Sequence, residues 1–149
     1  MIGLPGDPLD LAFDGADAID PSGLCVKGAG GAMVRERVVA ESAARFIVLV
    51  DPPKIVVSLD EWGLLPIAVV PFAATRVVAQ LAHLAPVTRD TRSDDGMVLV
   101  DLTVPPGADW QLVADRVRAL PGVLDHGLFQ LMLDDVLIGH GDGSVTTAA

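Results

Sequence analysis

"RFIVLVD", Arg45–Asp51, decides the fold. Five apolar residues follow one another here without a polar break. An unbroken run of this length is expected of a strand covered on both faces, as in parallel sheets flanked by helices. Upstream, "LDLAFD" (Leu9–Asp14) reads as a short buried strand, and "GADAIDPSG" (Gly15–Gly23) as its loop, rich in Gly, Asp, Pro and Ser. "GLCVK" (Gly23–Lys27) reads as a second short strand, and Gly31 to Arg45 has a helical pattern. Strand and helix therefore alternate, which predicts a parallel α/β sheet.

The character changes after Trp62. "LPIAVV" reads as a strand and "FAATRVVAQLAHLA" as a helix. "VTRDTR" and "MVLVDLTV" read as strands around the hairpin-type turn "SDDG". "DWQLVADRVRALP" is a predicted helix stopped by Pro121 and Gly122, and "VLDHGLFQL" a final strand. The order β-α-β-β-α-β is that of a ferredoxin-like, split-βαβ unit. The tail "DDVLIGHGDGSVTTA" is placed to return a strand to the first sheet. The fold class expected is α/β: a partial Rossmann-like parallel sheet domain, residues 1–62 with 134–149, and an inserted ferredoxin-like α+β domain, residues 63–133.

Composition narrows the function. Of 149 residues, 51% are hydrophobic and 20% charged, a globular mixture rather than a disordered one. The longest apolar candidate, "LLPIAVVPFAA", falls short of the roughly 18 residues a membrane span needs and carries Pro66 and Pro71. The start "MIGLPGDPLD" lacks the basic segment of a secretory signal. Cys25 is the single cysteine, so no internal disulfide forms, and a cytoplasmic location fits. The formal net charge of −10 and the lack of a basic run argue against nucleic acid as a partner, and solubility explains the acidity.

Chemistry-bearing residues gather around "KGAGGAMVRE", Lys27–Glu36. Projected at about 100° per residue, Arg35, Arg37, Glu41 and Arg45 share one broad side of the helix. Ala32, Val39, Ala40 and Ala43 share the other. Glu36 falls in that second, packed group, beside small alanines. Burial raises a carboxyl toward the range of a general base; a structural glutamate paired with a buried arginine is the equal alternative. Lys27 and the glycines ahead of the helix offer a cation and backbone N–H groups to a phosphate or an oxyanion, or form a plain connection. Asp14 and Asp17 stand at the end of a predicted strand, where ligands of open α/β sheets collect, or serve as turn and capping residues. Lys54 follows a second strand end and by itself reads as solvated. His83, His126 and His140 show no metal-ligand spacing; His83 reads as a surface residue and His126 as structural. Cys25 reads as a buried small apolar residue.

Taken in order, "DGADAID", "KGAGGAMVRE", "FIVLVDPPK", "LPIAVVPFA", "LPGVLDHGLF" and "VLIGHGDG" resemble type A ribose-5-phosphate isomerase over essentially the whole chain. The resemblance implies a cofactor-free, metal-free interconversion of ribose 5-phosphate and ribulose 5-phosphate through a cis-enediolate, in the non-oxidative pentose phosphate pathway. It implies Glu36 as general base, Asp14 assisting ring opening and proton traffic, and Lys27 stabilising the enediolate oxygen. It places Asp14, Gly15, Ala16, Asp17, Lys27, Gly28, Ala29, Gly30 and Lys54 against the sugar phosphate. A homodimer or higher homo-oligomer follows from it, with neither nucleic acid nor membrane as partner.

Three motifs depart from the family pattern. Ala18 stands where "DGADE" has its glutamate, Ala29 and Gly31 alter "KGGGAA", and Asp94–Met97 reads "DDGM" for "DNGN". The first two touch the expected site; the third lies in the smaller unit, away from the chemistry. The family also begins with a strand, a "GTGST"-like phosphate loop and a helix, for which this sequence has no counterpart. The chain alone is therefore expected to be poorly soluble or self-associated, with little or no isomerase activity. A truncated, non-catalytic sugar-phosphate-binding or assembly module is the alternative; a sugar-phosphate-sensing regulator is disfavoured because no DNA-binding helix pair is present.

Overall fold

The computed structural model describes residues 6, 9–131 and 135–148. In chain order its strands are β1 (Ala12–Asp14), β2 (Ala18–Ile19), β3 (Leu24–Val26), β4 (Phe46–Val50), β5 (Leu64–Val69), β6 (Val87–Arg92), β7 (Val98–Thr103), β8 (Val123–His126), β9 (Leu128–Gln130), β10 (Val136–Gly139) and β11 (Val145–Thr147). Its α-helices are α1 (Met33–Ser42), α2 (Ala74–Gln80) and α3 (Trp110–Arg118).

The apolar run Phe46–Val50 is β4, and it is central. It pairs in parallel with β1 on one side and with β10 on the other; β11 then closes the sheet antiparallel to β10. The tail therefore does return to the first sheet. Among the described residues only one face of that sheet is packed. Val48 and Val136 are buried with Ile19, Cys25 and Phe129, whereas Leu49 is 44% and Phe13 68% exposed. The expectation of a strand covered on both faces is corrected to this extent.

The segment after Trp62 forms a four-stranded antiparallel sheet of order β6-β7-β5-β8. That is the ferredoxin-like order, with β5 and β6 split by β7. Here β5 is the strand buried on both faces. Leu65, Ile67 and Val69 pack with Val77 of α2 and Ala114 and Val117 of α3. Ala68, on the reverse face, meets Met33 at the start of α1 and Leu99 of β7. The α3 helix is N-capped by Asp109, whose carboxylate accepts from the Leu112 N–H at 3.0 Å. Its buried residues Trp110, Ala114 and Val117 recur at helical spacing.

Four local expectations are revised. "GADAIDPSG" is not all loop, because Ala18 and Ile19 pair with β3. The helix expected to Arg45 ends at Ser42: Ala43 turns extended and bridges to Leu9, whose carbonyl accepts from the Ala44 N–H at 2.7 Å. The helix expected over Phe72–Ala85 is regular only in α2, with single 3-10 turns at Pro71–Ala73 and Ala82–Leu84. "VLDHGLFQL" is two strands in two sheets: β8 joins β5, and β9 joins β3. The hand-over falls at Gly127. Its carbonyl accepts from the Lys27 N–H, its N–H donates to Pro66, and a Cβ there would collide with the Lys27 carbonyl. The expected boundary between residues 133 and 134 lies outside the described residues.

Candidate functional site

The carboxyl ends of β1 and β3 and the start of α1 meet at one place, and each delivers one charged group. β1 ends on Asp14, and Lys27 directly follows β3. The loop Gly28–Ala32 then turns into α1, with Gly28 at φ +104° and Gly31 at φ +84°. A side chain at either glycine would also press on Met33 or Leu99. Ala29 needs no such backbone, so this departure from the family pattern is accommodated, and the glycine at position 31 suits its left-handed conformation.

Lys27 is 2% exposed. Its Nζ lies 3.0 Å from Asp14 Oδ2 and 3.5 Å from Glu36 Oε2, and donates to the Gly15 carbonyl. Burial of a lysine is tolerated here because the ammonium is held between two carboxylates. Glu36 lies one turn inside α1, its side chain 19% exposed. Its Oε2 is buried; Lys27, in ion-pair range at the outer limit of hydrogen bonding, is its nearest cation, and among the described residues no other group bonds it. Burial pushes the Glu36 carboxyl above the ordinary glutamate range; Lys27 opposes this and Asp14 adds to it. Asp14 Oδ1 accepts from the Gly15 N–H at 2.8 Å, and Asp17 Oδ2 accepts from the Ala29 N–H at 2.8 Å.

Asp14, Gly15, Ala16, Asp17, Lys27, Gly28, Gly30 and Glu36 line one open cleft of about 190 Å³. Ala29 contributes through its bond to Asp17. Lys54 stands apart from this group. It is half-buried, 6.0 Å from the Trp62 ring, and lines an adjoining cleft of about 620 Å³ at the ends of β4 and β10. The two clefts share Gly15 and Ala16.

The remaining titratable candidates lie elsewhere. Burial pushes the Cys25 thiol up to about 12 and keeps it protonated. His126 is buried and accepts from the Leu128 N–H through Nδ1; burial, with Arg37 nearby, brings it down to about 4. His83 is exposed, and His140 bonds Thr146.

Two arginines escaped the sequence reading. Arg37, placed there on the charged side of α1, turns inward. Its Nε donates to Asp125 at 2.6 Å, its Nη2 to the His126 and Leu128 carbonyls at 2.8 Å each, and its guanidinium stacks 4.0 Å from the Phe129 ring centroid. A lone aspartate inside "VLDHGLF" was the available signal, since a buried carboxylate requires a cation. Arg89 of β6 donates to Asp101 of β7 and to the Gly28 and Ala29 carbonyls. Opposite charges on strands read as a hairpin hinted at the first bond only. The "DDGM" turn is also nearer the site than expected: Asp94 and Asp95 pair with Arg35, the residue before Glu36.

A carboxylate held off its ordinary ionisation, a buried ammonium beside it and loop amides around one cleft can exchange a carbon-bound proton and stabilise the oxyanion that results. Comparison with known proteins bears on which chemistry this is. Residues 5–143 match the family model described as ribose 5-phosphate isomerase A (phosphoriboisomerase A). Ribose-5-phosphate isomerase A of Synechococcus sp. (strain WH7803) is 40% identical over 152 residues, covering 95% of this chain and 64% of the relative. The structure of ribose 5-phosphate isomerase A from Methanocaldococcus jannaschii superposes with a TM-score of 0.82 at 32% identity, covering 94% of this chain and 65% of that one. A D-ribose-5-phosphate isomerase in complex with phospho-erythronic acid gives a TM-score of 0.83 at 30% identity, with coverage of 95% and 65%. The chain thus spans less than two thirds of the length of the relatives it matches. Over that span sequence match and superposed fold agree on one group of proteins: the chain belongs to the ribose 5-phosphate isomerase A family.

Proposed function

We propose that this chain carries the proton-transfer centre of an aldose–ketose isomerase acting on ribose 5-phosphate and ribulose 5-phosphate, in the pentose phosphate pathway. The observation that carries the reading is the Glu36 carboxyl, its ionisation raised by burial, with the Lys27 ammonium 3.5 Å away in a cleft that Asp14 also lines. Glu36 takes the proton from C2 of the open-chain aldose. The electron pair left behind forms the C1–C2 double bond, and the carbonyl oxygen on C1 becomes the enediolate oxygen. Lys27 and the loop amides hold that charge. Glu36 returns the proton to C1 while the oxygens on C1 and C2 exchange theirs through Asp14, giving the ketose with no net gain or loss of atoms. Family membership and the phospho-erythronic acid complex of a relative support a sugar phosphate as substrate. Gly15, Ala16, Asp17, Gly28, Ala29 and Gly30 line its path, and Lys54 reaches it from the adjoining cleft.

In the same reading residues 63–133 are a lid and assembly domain on a catalytic domain of residues 1–62 and 134–149. The protein works as a cytoplasmic homodimer or higher homo-oligomer, checked by sedimentation. Among the described residues no helix is long and apolar enough to cross a membrane.

The test is conversion of ribose 5-phosphate by the 149-residue chain, alone and joined to the N-terminal strand, loop and helix of a relative. Turnover in either form, lost by roughly 10²–10⁴-fold in Glu36→Gln, supports the proposal. No turnover in both forms, or a loss under about tenfold in that variant, defeats it.

A further inference from the structure

Arg89 belongs to β6, in the ferredoxin-like sheet, yet its side chain ends in the glycine loop that follows β3, a strand of the separate β2-β3-β9 sheet. One Nη1 donates to two successive carbonyls, Gly28 O at 3.0 Å and Ala29 O at 2.9 Å. The rest of the guanidinium is locked by a forked pair with Asp101, Nε to Oδ2 at 2.8 Å and Nη2 to Oδ1 at 2.6 Å. Both side chains are largely shielded, at 18% and 21% exposure. A forked pair of this kind leaves little freedom of rotation.

The consequence lies in the peptide planes. In a trans peptide the carbonyl and the next N–H point in opposite directions, and the described residues contain no cis bond. Holding the Gly28 carbonyl outward turns the Ala29 N–H inward, where Asp17 accepts it at 2.8 Å. Holding the Ala29 carbonyl outward turns the Gly30 N–H the same way, and Gly30 lines the cleft with Lys27 and Glu36. Within the loop the Gly31 N–H also donates to the Gly28 carbonyl at 2.9 Å, whereas the Ala29 carbonyl is held by Arg89, in a segment with glycines at positions 28, 30 and 31. A flexible loop cannot keep an amide aimed at a developing charge unless something else fixes it.

We propose that Arg89, braced by Asp101, is a positioning residue for the isomerisation: it fixes two peptide planes of the glycine loop so that the Gly30 N–H faces the substrate oxygen on which charge develops, and the Ala29 N–H anchors Asp17. The kinetic part rests on the isomerase reading above. An amide aimed at a charge present only in the transition state affects turnover rather than affinity.

Two measurements keep the proposal and the isomerase reading separate. Amide hydrogen exchange needs no turnover. In Arg89→Ala, exchange at Ala29 and Gly31, whose N–H groups are bonded to Asp17 and to the Gly28 carbonyl, should accelerate by about tenfold or more, while core strands such as β5 and β7 stay protected. In whichever form of the chain turns over, Arg89→Ala should lower kcat by roughly 10–100-fold and leave KM within about threefold. The acid limb set by Glu36 should not move. Arg89→Lys should behave like Arg89→Ala, since one ammonium cannot span the carboxylate and both carbonyls. Added guanidinium should restore part of the activity of Arg89→Gly. Unchanged loop exchange, an effect confined to KM, or full activity in Arg89→Lys would overturn the proposal. If Arg89→Ala unfolds, Arg89→Lys and Asp101→Asn decide it by the same readouts. Should no form of the chain turn over, the isomerase reading falls while the exchange result still decides the clamp.

Discussion

Lys27 Nζ and Glu36 Oε2 lie 3.5 Å apart, close enough for charge attraction but at the outer limit of a hydrogen bond, and among the described residues no other group bonds the buried Oε2. The lysine is committed to Asp14 and to the Gly15 carbonyl instead. Glu36 thus keeps a lone pair free while a cation beside it limits the cost of its charge. Opposed influences of this sort hold a carboxyl between ordinary and fully neutral behaviour.

That arrangement predicts two pH effects of the same group. In whichever form of the chain turns over, the proposed isomerase activity should fall as pH drops through the raised ionisation of Glu36, with its midpoint above the ordinary glutamate value of 4.5. Stability should run the other way. The folded state binds this proton more tightly than the unfolded chain, so ionisation weakens the fold as pH rises between the two values. Glu36→Gln should therefore gain in melting temperature relative to the parent across that interval. A midpoint at or below 4.5 in the rate profile, or a parent–variant difference that shrinks with rising pH, would contradict the assignment.

His126 gives the opposite sign. Its ring is buried and neutral, with folded-state ionisation at about 4 against 6.5 ordinarily. The unfolded chain takes up this proton first, so the contribution is complete above about pH 6.5 and is lost as pH falls toward 4. A shift of this size corresponds to roughly 3 kcal/mol. Urea denaturation between these limits should show acid destabilisation in the parent and a flatter profile in His126→Asn. An equally steep profile in the variant would assign the effect to other groups.

Gly127 is where one apparent strand passes between two sheets. Gly127→Ala should cost at least about 2 kcal/mol, because the added methyl runs into the Lys27 carbonyl and presses on Pro66. Gly30→Ala, with nothing within 4 Å of its Cβ, should be near neutral. Denaturant midpoints of equal size for the two variants would refute this picture of the crossing.

Arg37→Met should destabilise by about 3–5 kcal/mol, since it strands the Asp125 carboxylate in the core. Arg118, at 3.7 Å from the other oxygen and half exposed, is a poor substitute. Adding Asp125→Asn should recover a good part of the loss, and a double-mutant cycle measures it. Strict additivity of the two changes would show that the pair is not coupled.

What was legible in the sequence was local. The β-α-β-β-α-β order after Trp62, the strand at Phe46–Val50, Asp14 at a strand end and Glu36 on the packed side of α1 follow from periodicity and turn chemistry over short windows. Family motifs then tied these pieces to one chemistry. Tertiary structure decided the rest: that "VLDHGLFQL" divides at Gly127, that β4 has one open face among the described residues, that Arg37 points inward, and that Arg89 grips the glycine loop. Each depends on partners far along the chain, 88 positions for Arg37 with Asp125 and 61 for Arg89 with Gly28. Periodicity reports which side of an element a residue occupies. Only the packing of distant elements determines what waits on that side, and for a buried charge the identity of that neighbour decides whether burial is tolerated at all.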